Sequence, residues 1–309
     1  MHAHRLWLIL KICFATSVMI FLFWHIGPFL IWQTLQRASL PWVGAAAITL
    51  AVSLLLNGLS LYALFLSAWQ LKLKHFLHLF FLSTLLAFWV PGRIGDFSIG
   101  LLLKNEVPLA DSLLYVLVDK IITLFVVSFL AVVGCFYYWP PIIGSIALFG
   151  MILLWGTLFL LYHYPNWWHW SLRKIPVRWR IVPLRFEAMV ILFSGSGQCW
   201  LWWNLALTCG RLLMSAATAY FLIWAFGNEI SFTPILLAIA PVTLLSLLPI
   251  SIQGMGVTES AYLYFLTPEG VSQGAILAFC LVARLLTWVA VFGFYVGTAH
   301  EKHQRYQKN

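Results

Sequence analysis

Long apolar runs are the feature that most limits what this chain can fold into. About six segments are long and apolar enough to cross roughly 30 Å of hydrocarbon as α-helices. These predicted spans cover residues 6–24, 42–66, 112–137, 142–162, 202–226 and 275–298. Only 9% of the residues are charged and 62% are hydrophobic, which is too little charge to keep a soluble surface hydrated. The sequence therefore predicts an all-α, polytopic membrane protein whose residues 1–309 form a single transmembrane domain.

Two further apolar stretches, 76–103 and 232–266, are interrupted by proline, glycine and charge. The first break contains Pro91, Gly92 and Gly95. The second contains Pro249, Gly254 and Gly256. The first stretch leaves arms of about 15 and about 10 residues, roughly 22 and 15 Å at helical rise, and neither can cross alone. Each broken stretch is either a re-entrant hairpin or one kinked span.

The distribution of Lys and Arg favours re-entrant hairpins. If both stretches re-enter, the N-terminus, Lys72, Lys74, Lys104, the basic cluster at 173–185 and the C-terminal tail share one side. The positive-inside rule makes that side the cytoplasm, so both termini are predicted to be cytoplasmic. This topology also accounts for the net charge of +9 without a nucleic-acid partner.

A weak internal repeat divides the chain into two halves, at about 40–137 and 200–298. Residues 117–123 (LVDKIIT) read like residues 281–287 (LVARLLT), which lie 164 residues later. Asp96 and Glu259 lie 163 residues apart, so the acids at the two breaks align within one residue. The extra span at 142–162 inverts the second half, and many transporters build a midplane site from such inverted repeats. The alternative is chance similarity among apolar helices.

Seven ionisable residues are predicted to lie at membrane depth, where each unpaired charge costs about 3 kcal/mol. They are Arg93, Asp96, Asp119, Lys120, Arg211, Glu259 and Arg284. Either they line a hydrated cavity or they form structural ion pairs that join helices. Four are basic and three acidic, and this excess suits a ligand that carries phosphate.

No catalytic constellation is found in the sequence. It contains no Ser-His-Asp set, no nucleotide-binding loop and no CxxC pair. His75 and His78 have a spacing that metal ligands use, but lysines surround them and no third ligand lies nearby. We expect no metal, no cofactor and no enzymatic activity, and an intramembrane enzyme is the least favoured interpretation.

The two breaks resemble a known family. Residues 248–251 (LPIS) followed by 254–259 (GMGVTE) resemble the signature of the lysylphosphatidylglycerol synthase transmembrane region, a flippase-like family. Residues 91–96 (PGRIGD) look like its first signature, and Asp119, Lys120 and Arg284 stand where members place an acid-base pair and an arginine. Members often carry arginine where this chain has Ile99 or Gly100, and where it has Thr258.

The resemblance implies a protein of a prokaryotic inner membrane that moves a lipid, or a lipid-linked precursor, between leaflets. Fusion members add a cytoplasmic aminoacyl-transferase domain, which we do not expect in this chain. The leading hypothesis is a lipid flippase in which Arg93 meets phosphate, and Asp96 and Glu259 meet a cationic group or a proton. Its partners would be membrane lipids with anionic or lipid-linked head groups. The alternative is a scaffold that regulates a lipid-modifying or glycosyl-transferring enzyme through residues 173–185.

Overall fold

The computed structural model describes residues 28–88, 95, 97–163, 197–247 and 254–306. These parts of the chain contain helices and no strand. The helices are α1 (Pro28–Gln36), α2 (Leu40–Leu66), α3 (Leu73–Ala87), α4 (Ser98–Leu102), α5 (Leu109–Tyr138), α6 (Pro141–His163), α7 (Gly197–Ala225), α8 (Phe232–Leu247), α9 (Val257–Leu266) and α10 (Gln273–Tyr306). The prediction of an all-helical membrane fold is confirmed for these residues.

Four of the described helices are long and apolar enough to cross a membrane. They are α2, α5, α7 and α10, and they coincide with the predicted spans 42–66, 112–137, 202–226 and 275–298. Helix α6 occupies the predicted span 142–162 and has 23 residues. The first predicted span, 6–24, and the basic cluster at 173–185 lie outside the described residues.

Proline and glycine set several helix ends. Pro141 opens α6 at a position where its missing N–H costs nothing, since the first amides of a helix have no partner in the helix. Gly227 follows α7 with φ of 76°. The amide of Asn228 then reaches back to the carbonyl of Ile223 and closes the helix end.

Each broken stretch folds into two short arms that pack against each other. The long arms α3 and α8 have 15 and 16 residues, or about 22 to 24 Å, which is less than the hydrocarbon thickness. The partner arm α9 has 10 residues, whereas α4 has only 5, fewer than the 10 or so expected. The polar residues after Leu103 form a turn instead of extending α4.

The first hairpin closes tightly. A hydrogen bond of 2.8 Å joins Ser83 Oγ on α3 to Ser98 Oγ on α4. A Cβ atom on Gly95 would lie 2.4 Å from the Cα of Ala87, so any larger residue would push the two arms apart. Glycine is therefore required at this predicted break by close approach of the backbone.

The hairpins pack across the two halves. The long arm α3 packs on α10, and the long arm α8 packs on α5. Buried apolar residues form two clusters, one around α2 to α5 and one around α7 to α10. Large apolar side chains such as Phe129, Ile152 and Val289 are more than half exposed on the outer surface. Hydrocarbon, which is the natural solvent of such a surface, would cover them.

Candidate functional site

A row of polar side chains lies between α2 and α7. Thr49 shares a 3.0 Å hydrogen bond with Thr218, and Ser53 shares one of 2.9 Å with Ser215. Further along, Arg211 donates to Asn57 Oδ1, and Asn204 Nδ2 donates to the carbonyl of Ser60 at 2.7 Å. Residues later in α2 meet residues earlier in α7, so the helices run antiparallel. We call these four contacts the polar seam.

Of the eight residues of the polar seam, the sequence predicted only Arg211 as a site residue. The signal of the polar seam is helical spacing, because positions 49, 53, 57 and 60 share one face of α2, and positions 204, 211, 215 and 218 share one face of α7. Serine and threonine barely lower the hydropathy of a long apolar span, so a search for charge overlooks them.

A cavity of about 410 Å³ opens beside the polar seam, between α2, α5, α7, α8, α9 and α10. Its wall is mixed, with apolar side chains such as Leu54, Ile239 and Phe279 among the polar ones. Eight serine and threonine hydroxyls line it: Ser53, Thr123, Ser215, Thr218, Thr243, Ser246, Thr258 and Thr287. Three of the predicted intramembrane charges, Arg211, Glu259 and Arg284, line the same cavity.

The second break holds Glu259 and Arg284 together. Gly254 and Gly256 have φ of 74° and 80°, which only glycine adopts easily, and α9 begins directly after them. Arg284 on α10 donates to Glu259 Oε1 from Nη2 at 2.7 Å and from Nε at 3.1 Å. Glu259 is 2% exposed, so its pairing with the guanidinium neutralises a buried charge at the start of α9.

Glu259 also caps its own helix. Its Oε2 accepts the Gly256 amide at 2.7 Å and the Thr258 hydroxyl at 2.8 Å. Two N–H groups of Arg284 and the Gly256 amide therefore hold the carboxylate, and the single proton of the Thr258 hydroxyl can go either to Oε2 or to the Gly254 carbonyl at 3.0 Å.

Arg211 is surrounded by neutral groups. Besides the bond to Asn57, its Nη2 donates to Thr123 Oγ1 on α5 at 2.7 Å. No carboxylate lies within ion-pair distance of this guanidinium among the described residues. Among the described residues, no charge compensates the positive charge that Arg211 brings to the cavity.

Asp119 and Lys120 lie behind the cavity wall. Asp119 is 2% exposed, and its Oδ1 accepts Asn204 Nδ2 at 3.0 Å and the Ser60 hydroxyl at 3.4 Å. Lys120 Nζ lies 3.5 Å from the other oxygen, Oδ2. Thr123 links this cluster to the cavity, because it donates to the Asp119 carbonyl at 2.8 Å while it accepts from Arg211.

The structure thus brings Arg211, Glu259 and Arg284 together at the cavity. Asp119 and Lys120 lie behind the cavity wall. Among the break residues it places Gly95, Gly254 and Gly256. The remaining predicted site residues, Pro91, Gly92, Arg93, Asp96 and Pro249, lie outside the described residues.

Residues 8–294, which are nearly the whole of this sequence, match one family. That family is the lysylphosphatidylglycerol synthase TM region. No curated protein sequence matches the chain. The match covers both breaks, the polar seam and every side chain of the cavity. This chain is an integral membrane protein that belongs to the lysylphosphatidylglycerol synthase TM region family.

Proposed function

We propose that this protein moves a lipid head group between leaflets through the cavity beside the polar seam. The observation that carries the proposal is the cavity itself, which places two arginines and eight serine and threonine hydroxyls among helices that can cross a membrane. Such groups are costly in hydrocarbon unless water or a polar ligand meets them. Membership of a family named for a lipid synthase supports a lipid as that ligand.

The contacts between the halves support an inverted repeat. Ser53 and Ser215, which touch at the polar seam, are 162 residues apart, and Asp96 and Glu259 are 163 residues apart. Residues at equivalent positions of two repeats meet in this way where the antiparallel helices that carry them cross at a two-fold axis. Each hairpin also packs on a helix of the other half, α3 on α10 and α8 on α5, as the same two-fold axis requires. Sliding of the halves against each other along the polar seam would expose the cavity to each side in turn.

The proposed topology keeps the predicted orientation. Both broken stretches re-enter from opposite sides, and both termini face the cytoplasm of a prokaryotic cell. The proposed partners are membrane lipids with an anionic or lipid-linked head group.

Reconstitution in vesicles tests the proposal. Phospholipids labelled on the acyl chain are added to one leaflet, and their arrival in the other is followed with a membrane-impermeant quencher, with and without imposed ion gradients. The Thr287→Phe variant fills the cavity but removes no hydrogen bond between the described helices, because the Thr287 hydroxyl donates to the Ala283 carbonyl of its own helix. Val289→Phe is the matched control, since Val289 is 70% exposed on the outer face of the same helix.

We expect wild type and Val289→Phe to move the lipid, and Thr287→Phe to be about tenfold slower or worse. Lipid movement no faster than in protein-free vesicles under every gradient contradicts the proposal, as does full activity of Thr287→Phe. Stoichiometric co-purification of a lipid-modifying enzyme would, in that case, favour a scaffold.

A further inference from the structure

The arginines of the cavity differ in what surrounds them. Arg284 is paired with Glu259 through two hydrogen bonds, so this pair adds no net charge. Within the described part of the chain, the Arg211 side chain bonds only to Asn57 and Thr123, both neutral. Since arginine stays protonated in proteins, the described lining of the cavity carries one net positive charge, and it belongs to Arg211.

Arg211 also has hydrogen-bonding capacity to spare. A guanidinium has five N–H donors, and the described contacts of Arg211 use two of them. Asn57 and Thr123 hold the group from two different helices and fix its plane at the cavity wall. A planar, charged fork with open donors is the geometry that binds phosphate oxygens.

Hydroxyls surround the same point. Ser215 follows Arg211 by one turn of α7, and Ser53 donates to the Arg211 carbonyl at 3.1 Å. These hydroxyls can turn to donate to an anion, because a hydroxyl rotor is free to choose its partner. An anion beside Arg211 would therefore find neutral donors on α2 and α7.

A cationic group finds no equivalent subsite in the described lining. Glu259, the carboxylate at the cavity wall, is already paired with Arg284 and also accepts the Gly256 amide. Asp119 does not line the cavity, and Asn204, Ser60 and Lys120 surround it. An ammonium group beside Arg211 would meet a like charge without compensation, and such contacts reject ligands strongly.

We propose that Arg211 binds the phosphate of an anionic lipid, and that the cavity discriminates against lipids whose head group adds a cation. The inference rests on the proposed function and assigns its substrate class. The shared chemistry is a lipid-anchored phosphate, which either a phosphatidylglycerol or a polyprenyl phosphate supplies. Lipids with an ethanolamine or an aminoacyl group are disfavoured.

Equilibrium binding tests the inference apart from transport. Purified protein in detergent is titrated with a fluorescent phosphatidylglycerol, and unlabelled phosphatidylglycerol, polyprenyl phosphate, phosphatidylethanolamine and lysylphosphatidylglycerol compete for the site. The variants are Arg211→Gln, which removes the charge, and Arg211→Lys, which keeps it. Lys104→Gln removes a cation from an exposed turn outside the cavity and is the control. Size-exclusion elution and thermal unfolding show whether each variant is folded.

We expect an anionic lipid to compete at least about tenfold better than phosphatidylethanolamine or lysylphosphatidylglycerol. Arg211→Gln should remove this preference, Arg211→Lys should retain part of it, and Lys104→Gln should leave it unchanged. Stronger competition by polyprenyl phosphate than by phosphatidylglycerol supports the inference and identifies the anchor.

Equal competition by the zwitterionic or cationic lipids overturns the inference, as does a preference that survives in folded Arg211→Gln. These outcomes are separable from those of the vesicle experiment. A protein that moves all lipids alike refutes only the charge preference, whereas selective binding without movement refutes only translocation.

Discussion

The two arginines that line the cavity have partners of different charge. Arg284 has a buried carboxylate as its partner, whereas Arg211 has an amide and a hydroxyl. The first arrangement joins α10 to the start of α9, and its removal would strand a charge inside the protein. The second leaves charge available to a ligand. We therefore assign Arg284 mainly to stability and Arg211 mainly to binding.

The stability of the Glu259–Arg284 pair can be measured by a double-mutant cycle. Arg284→Gln leaves the buried Glu259 without its cation, and we expect it to lower the free energy of unfolding by about 3–5 kcal/mol. Glu259→Gln in the same chain should restore much of this loss, because no unpaired charge then remains. Thermal unfolding in detergent gives the comparison. Additive losses in the double variant would show that the two side chains do not interact energetically.

At the scale of the element, the second hairpin depends on glycine for its backbone shape. Gly254 has φ of 74°, and a Cβ atom there would lie 2.8 Å from Thr258 Cγ2. The Thr258 amide bonds to the Gly254 carbonyl at 2.8 Å, so displacement here would disturb the residue beside Glu259. The turn therefore positions the start of α9 and its capping carboxylate.

Substitution of Gly254 tests this dependence. We expect Gly254→Ala to destabilise the protein by about 1–3 kcal/mol, as left-handed backbone strain does. Gly150→Ala is the control, because Gly150 lies within α6 with nothing within 4 Å of its would-be Cβ. Unfolding temperatures of the two variants provide the measurement. Equal stability of both would mean that the turn tolerates a side chain.

The elements that the sequence predicted well are those that one segment determines by itself. Long apolar runs predicted α2, α5, α7 and α10, and proline and glycine predicted both breaks. The polar seam joins residues about 160 positions apart, and no local pattern shows that Ser53 meets Ser215. The sequence did not indicate the neutral surroundings of Arg211 for the same reason, since both of its hydrogen-bond partners lie on other helices.

At the scale of the whole molecule, the proposed function makes the polar seam the place where the two halves meet and slide against each other. The hydroxyl oxygens of Ser53 and Ser215 are 2.9 Å apart, so cysteines at these positions would be close enough to form a disulfide with little rearrangement. In a chain whose native cysteines are replaced, we expect the oxidised Ser53→Cys, Ser215→Cys protein to stop moving lipid.

Reduction should restore lipid movement, and the two single variants should be active under both conditions. Mass spectrometry reports how much disulfide has formed. Full activity of a completely cross-linked protein would contradict sliding of the halves along the polar seam. That result would not bear on the cavity or on its charge preference, which separate experiments test.

The central claim is that the cavity between the halves is hydrated at membrane depth. Cysteines placed one at a time at Thr287 and Val289, in the cysteine-free chain, test it most directly in vesicles treated with a charged, membrane-impermeant thiol reagent. Thr287 lines the cavity, whereas Val289 faces outward from the same helix. Because only a thiolate in contact with water reacts quickly, we expect labelling at position 287 and none at position 289. An unreactive cysteine at position 287, from either side of the membrane, would show that the cavity is dry and contradict the account.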